Sequence, residues 1–399
     1  MRAADALSIA DLHTLAKRRL PRILFDCIES GTEDETALAL NEASFGHYRL
    51  MPRHLVDVRR RDAGLTLFGR RYAQPFGIGP TGFAGLFRVD ADAILARSAL
   101  TADIPFVLSG ASVARPEAVA AVAPAHLWYH LYAARDPAIS ADIMRRVSGA
   151  GVEVLVLTVD NPVPAKRERD IRNGFALPLR LKPSILLEAL THPGWVIDYL
   201  RSGGLPGMGS WADYAPPGAG PAEIGQFFRS HSPSIQDWDD LARMRAQWRG
   251  RLVLKGIQNP DDARRALALG VDGIIVSNHG GKAYDMLPLP LFSLPAVKAA
   301  VGGRIPVMLD GGIRRGSDIL VACALGADFV FVGRATLYGV VAGGQAGADG
   351  AVAILADEVD RGLAMIGCPA VADLDARWLT QTHPGSAATL PPFDAETVR

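Results

Sequence analysis

Cysteine is scarce: Cys27, Cys323 and Cys368 are the only three in 399 residues, odd in number and widely separated. That excludes a disulfide framework, offers no metal-ligand spacing and fits a reducing compartment. Charge of one sign is missing too, since 42 Lys and Arg face 42 Asp and Glu. No global field therefore draws the chain to nucleic acid or anionic lipid. Long apolar runs are absent as well. The most apolar stretch, 118–134, is broken by Pro124, His126 and His130, and falls short of the roughly 20 residues that cross a bilayer. The first 22 residues carry Asp5, Asp11, His13 and a Lys17-Arg18-Arg19 cluster in place of a signal-peptide core, so a cytoplasmic location is expected.

What is present is a repeated alternation of short apolar runs with helical patterns. Runs at 76–80, 105–108, 126–131, 152–159, 252–255, 273–276, 306–309 and 329–332 predict eight strands. Near-continuous β-branched stretches such as Gly273-Ile274-Ile275-Val276 mark strands buried on both faces, as in a parallel sheet wrapped by helices. Eight such units predict an α/β fold, a (β/α)8 TIM barrel at about 76–380 within a single 1–399 domain. Ser8 is a candidate cap for helices over 8–45, a segment expected to plug the bottom of the barrel. A proline- and glycine-rich insertion, 175–237, follows the fourth strand at the end where barrel enzymes place their sites, so it reads as a lid. From His383 a loose tail is expected.

The sharpest motif is Ser277-Asn278-His279-Gly280-Gly281, directly after the sixth strand. A histidine there is a candidate proton acceptor, and Asp160, read as ending the fourth strand, is a candidate to orient it. Asp310-Gly311-Gly312-Ile313-Arg314 after the seventh strand and Gly333-Arg334 after the eighth occupy the usual phosphate position of barrels. Glycines there let backbone N–H groups approach an anion, and arginine supplies paired donors. Lys255 ends the fifth strand as an isolated cation that needs an anionic partner. Its readings are a flavin-stabilising charge or a Schiff-base nucleophile of an aldolase. The run Gly77-Ile78-Gly79-Pro80-Thr81-Gly82 has dinucleotide-fingerprint spacing, but Pro80 removes a backbone donor and no second βαβ half follows.

Taken together, Ser30-Gly31-Thr32-Glu33-Asp34, Pro80-Thr81-Gly82, Leu131-Tyr132, Thr158-Val159-Asp160, Ser277 to Gly281 and the two phosphate loops resemble the FMN-dependent 2-hydroxy acid dehydrogenase and oxidase family. The likeness covers nearly the whole chain and leans toward its membrane-associated lactate and mandelate dehydrogenases. It implies FMN contacts by Pro80, Thr81, Gly82, Ser109, His130, Thr158, Lys255 and Ser277, with Asp310, Gly311, Gly312, Arg314, Gly333 and Arg334 around ribityl and phosphate. It implies a substrate held by Tyr132, Arg167, Lys282 and the region of Cys27, with His279, Asp160 and Tyr132 catalytic and no metal. The implied reaction is oxidation of a mandelate-like, lactate-like or bulkier (S)-2-hydroxy acid to the 2-oxo acid, His279 taking the hydroxyl proton and FMN N5 the hydride. Gly82, where several oxidases of the family have Ala, points to a dehydrogenase. A quinone or other redox carrier as electron acceptor, a tetramer, and membrane docking through Trp195, Tyr199, Leu200, Leu205 and Trp211 of the insertion are further implications.

Three positions depart from the family pattern. Lys282 stands where the family has Arg, Cys27 where it has Tyr, and His130 where it has Gln. A lysine cannot make the planar two-pronged grip of an arginine on a carboxylate. Cys27 is expected to leave space beside the substrate, and the departures keep open an FMN-binding barrel that acts on an atypical substrate or has lost catalysis.

Overall fold

The apolar runs form strands because both of their faces are buried, one against the barrel interior and one against surrounding helices. The computed structural model of the protein describes residues 1–175, 183–232 and 235–382. The barrel strands are β1 (Phe76–Ile78), β2 (Phe106–Ser109), β3 (Leu127–Leu131), β4 (Val154–Thr158), β5 (Arg251–Lys255), β6 (Gly273–Val276), β7 (Val307–Asp310) and β8 (Phe329–Val332). They close in the order β7-β8-β1-β2-β3-β4-β5-β6 with every neighbouring pair parallel, the TIM barrel that the sequence predicts. The strand read as 152–159 ends at Thr158, so Asp160 lies two residues beyond β4, in the loop.

The period of two along each strand sorts the side chains. Leu108, Tyr129, Leu157, Leu254, Ile274 and Leu309 face the helices. Val107, Trp128, Val156, Val253, Ile275 and Met308 fill the barrel. Two residues further along, the same inward parity brings Ser109, His130, Thr158, Lys255, Ser277 and Asp310 to the C-terminal mouth. The strand pattern thus delivers one polar layer above an apolar plug.

The bottom is closed by a hairpin, Leu65–Leu67 with Arg70–Tyr72, and not by the N-terminal helices. Phe68 lies against Trp128 at 5.6 Å between ring centroids and Tyr72 against Phe329 at 5.7 Å. The first helix, Ile9–Arg19, is capped by Ser8, which accepts from Asp11 N, and runs along the helix Arg334–Gly343. The next, Arg22–Glu29, brings Cys27 and Ile28 to the opposite end, at the mouth. Amphipathic spacing told that these helices pack; it held nothing about which end of the barrel they cover.

The insertion is fastened to the barrel by aromatic side chains. Trp195 Nε1 donates to Leu86 O at 3.1 Å, Tyr199 Oη to Gly85 O at 2.5 Å and Trp211 Nε1 to Gly110 O at 3.0 Å. All three rings are buried, which corrects their expected place on a membrane-facing surface. Among the described residues, the large apolar side chains exposed on the insertion are Leu187, Leu190, Ile197, Leu200 and Ile235, with Leu205 half-buried. Among the described residues no helix is long and apolar enough to cross a membrane. The tail expected from His383 lies outside the described residues.

Candidate active site

His279 sits in the left-handed region at φ +59, a conformation that costs a non-glycine residue roughly 1–2 kcal/mol and must be imposed by its surroundings. Ser277 Oγ accepts from His279 N at 3.0 Å, and Asn278 exchanges two side-chain bonds with Asn41 at 2.9 and 3.0 Å. Arg334 Nη1 donates to Gly280 O at 2.9 Å, and Gly281 O accepts from Thr32 N at 3.0 Å. Those bonds fix the imidazole from both sides of its loop.

The ring is clamped along its own axis. Nδ1 lies 3.1 Å from Asp160 Oδ1, and Nε2 lies 3.1 Å from the Tyr132 hydroxyl. An ionised carboxylate only accepts, so the proton sits on Nδ1 and the lone pair of Nε2 accepts from Tyr132. Burial opposes ionisation of Asp160, yet the charge and bond of His279, the Lys255 charge and the Thr158 hydroxyl outweigh it and hold the carboxyl well below its usual range. Burial pushes the Tyr132 phenol up, which keeps it a neutral donor. Gly256 makes the close approach possible: at φ +106, a Cβ on it would stand 2.4 Å from Asp160 Cβ.

Beside this clamp, Lys255 Nζ donates to Ser277 Oγ at 2.7 Å and pairs with Asp310 Oδ2 at 3.0 Å. Asp310 is the anionic partner the sequence demanded without naming. Burial works against the lysine's charge, but Asp310 and Asp160 more than offset it and hold its pKa above the ordinary value. A lysine so held is a fixed cation, the opposite of what a Schiff-base nucleophile needs. His130 is buried edge-on to the Tyr132 ring at 4.6 Å between centroids. Burial and then the charges of Lys255 and His279 lower its pKa far below the ordinary value, so the imidazole is neutral.

These residues edge a cavity of about 420 Å³ at the barrel mouth. Pro80, Thr81 and Gly82 line it from the β1 loop, and Gly311, Gly312, Arg314, Gly333 and Arg334 line it from the β7 and β8 loops. Ser109, His130, Thr158, Ser277 and Asp160 lie buried beneath and beside its lining. Arg314 Nη2 donates to Glu42 Oε1 at 2.7 Å and its guanidinium sits 5.7 Å over the Tyr338 ring. Arg334 spends three donors on Ile28 O, Gly280 O and Ser30 O, at 2.9, 2.9 and 3.1 Å.

Across the cavity are Arg167 and Lys282. Lys282 Nζ donates to Cys27 O at 2.8 Å, and Cys27 itself lines the cavity. Two features here escaped sequence reasoning. Asp170, 7% exposed, lines the cavity with Oδ1 lacking a partner among the described residues. Phe83, Phe175 and Phe228 form an aromatic wall, with Phe228 6.4 Å from the Tyr132 ring. Phe228 arrives from the helix Pro221–His231 of the insertion, the segment read as a lid, but no local pattern announces which of its side chains reaches the site. The one signal for Asp170 was its place in the helix Glu168–Asn173, a carboxylate three residues from a proposed anion binder.

A histidine backed by a buried carboxylate, set against a fixed lysine and glycine-rich loops at a barrel mouth, is an arrangement able to pair a proton acceptor with an anionic cofactor. Comparisons with known proteins give the class its family. Residues 16–381 match the FMN-dependent dehydrogenase family, and the chain belongs to it. A putative L-lactate dehydrogenase of Mycobacterium tuberculosis is 40% identical over 95% of this chain and 90% of its own length. The (S)-mandelate dehydrogenase of Pseudomonas putida is 37% identical over 94% of each. A crystal structure of the monotopic membrane protein (S)-mandelate dehydrogenase superposes with a TM-score of 0.90, at 36% identity, covering 95% of this chain and all of the other. The chain is thus an FMN-dependent 2-hydroxy acid dehydrogenase.

The residues present fit the cofactor. Both His130 ring nitrogens and Asp310 Oδ1 are buried without partners among the described residues. Buried polar atoms of this kind cost about 1–3 kcal/mol each unless a ligand satisfies them, and FMN offers ring N–H, carbonyl and ribityl hydroxyl groups.

Proposed function

We propose that the chain oxidises an (S)-2-hydroxy acid with an aromatic, mandelate-like side chain to the 2-oxo acid, with His279 as base. The clamped imidazole carries this reading: Nε2 lies at the cavity edge accepting from the Tyr132 hydroxyl, which would turn to the substrate's oxygen and leave the lone pair to take the hydroxyl proton, and Asp160 Oδ1 lies 3.1 Å behind Nδ1 to stabilise the imidazolium as it forms. Tyr132 donates to the substrate's hydroxyl oxygen, an interaction that strengthens as negative charge develops there. Arg167 and Lys282 hold the carboxylate, with the aromatic wall of Phe83, Phe175 and Phe228 around the side chain. Bound FMN supplies the two-electron acceptor for the hydrogen on the substrate's Cα. Pro80, Thr81 and Gly82 would lie along it, with Ser109, His130, Thr158, Lys255 and Ser277 around the ring; Asp310, Gly311, Gly312, Arg314, Gly333 and Arg334 would hold ribityl and phosphate.

Leu187, Leu190, Ile197 and Leu200 are exposed on the insertion and suit docking at the inner face of a membrane, with a quinone as final electron acceptor. A related dehydrogenase is a monotopic membrane protein, which supports this placement. We further propose a homotetramer, following the family resemblance.

Substrate class is tested by adding a series of (S)-2-hydroxy acids, from lactate to mandelate and phenyllactate, to the yellow holoenzyme without oxygen. Fast bleaching by the aromatic acids, slow bleaching by lactate and slow recovery in air are expected. Faster bleaching by lactate than by any aromatic acid would overturn the side-chain assignment.

A further inference from the structure

Lys282 reaches from the loop after β6 to the end of the helix Arg22–Glu29. Its amine donates to Cys27 O at 2.8 Å and to Ser30 Oγ at 3.4 Å. An ammonium has three N–H donors, whereas a neutral amine has two and a lone pair. With two directions committed to Cys27 and Ser30, the third belongs to the cavity that Lys282 lines. What the cavity meets in that direction depends on a single proton.

Resting on the reading that Lys282 contacts the substrate carboxylate, we propose that Lys282 is a protonation gate on substrate class. Charged, it completes an anion site with Arg167 and admits a carboxylate. Neutral, it turns a lone pair to the cavity, repels the anion and accepts from the N–H of an uncharged acyl group such as an amide.

The groups around it make the gate operable. Arg334, on the helix after β8, and Arg167, after β4, crowd positive charge against the lysine, while Asp170 opposes them, and the Cys27 thiol and His279, three residues away on the same loop, complete the surroundings. Asp26, beside Cys27 on the N-terminal helix, acts on Asp170. Burial, Arg334 and Arg167 together bring Lys282 down to about 7. Burial pushes the Cys27 thiol up to about 12, so it stays neutral where the lysine titrates. An arginine in this place would stay charged throughout and could not discriminate.

The test uses the FMN-loaded enzyme and phenylacetate, a carboxylate without the 2-hydroxyl, with binding read from the perturbation of the flavin's visible band between about pH 6 and pH 9. The dissociation constant should be flat up to about pH 7 and then weaken about tenfold per pH unit. The Lys282→Arg variant should stay within about twofold across the range, and Lys282→Met should bind weakly at every pH. Retention of the flavin spectrum shows that each variant is folded. A flat wild-type profile, or the wild-type slope persisting in Lys282→Arg, would overturn the gate. A different failure marks the underlying reading: if Lys282→Met binds phenylacetate as tightly as wild type at pH 6, the lysine does not touch the carboxylate at all.

Discussion

Replacing His279 with Gln should slow anaerobic bleaching of the bound flavin by about 100- to 10,000-fold, the range expected when a positioned base is removed. Gln has no basic nitrogen, so the hydroxyl proton has no acceptor at Nε2's position and Asp160 has no imidazolium to stabilise. The yellow cofactor should remain, because all the contacts proposed for FMN except Ser277 come from other loops, and Ser277 holds position 279 through its backbone N–H, which Gln keeps. Gln is less at ease than His at φ +59, and that strain of roughly 1–2 kcal/mol would lower the melting temperature without unfolding the barrel. Stopped-flow spectra of variant and wild type, with flavin content measured in both, decide the matter. A variant that bleaches at the wild-type rate would remove His279 from the base role.

The other large effect is expected at Lys255. This side chain is 4% exposed and pairs at 3.0 Å with Asp310, itself 14% exposed. Lys255→Met keeps the volume and removes the charge, leaving a carboxylate in the barrel mouth with no cation. Breaking one partner of such a pair costs about 3–5 kcal/mol, which for a domain of this size corresponds to a fall in melting temperature of roughly 4–6 °C. Flavin should also be lost on gel filtration, since Lys255 belongs to the floor of the proposed cofactor site. Lys255→Arg should recover part of both losses. Unchanged melting and full flavin content in Lys255→Met would mean that the pair contributes nothing to fold or cofactor.

The strands were legible because burial on both faces leaves a run of β-branched and aromatic residues that few other environments tolerate. The site was legible for a related reason. The residues at the mouth continue the inward parity of the strands, so a polar side chain just past an apolar run, such as Lys255 or Asp310, announces its direction as well as its identity. Asp160 was recognised as the partner of His279, yet its strand was drawn too long, because Val159 extends the apolar run past Thr158 and still donates its N–H to Lys255 O. Partnerships across the barrel were not legible: nothing local links Lys255 to Asp310 or Lys282 to Cys27 O. The insertion misled most. Its Trp195, Tyr199 and Trp211 look like an interfacial belt in sequence, but each indole or phenol finds a carbonyl of the barrel and buries its ring. Composition could suggest an amphipathic surface, but only the folded loops show which residues it exposes.

The central claim is a convergence of the Nε2 lone pair of His279 and the proposed flavin site on one carbon at the barrel mouth. Its most direct test is a crystal structure of the FMN-loaded His279→Gln variant soaked with (S)-mandelate, in which turnover is slow enough to trap the acid. The account predicts the substrate's 2-hydroxyl within hydrogen-bond reach of Tyr132 Oη and the Gln side chain, its carboxylate on Arg167 and Lys282, and its Cα against the flavin ring. A flavin bound away from the β7 and β8 loops, or a substrate whose hydroxyl turns away from position 279, would contradict it.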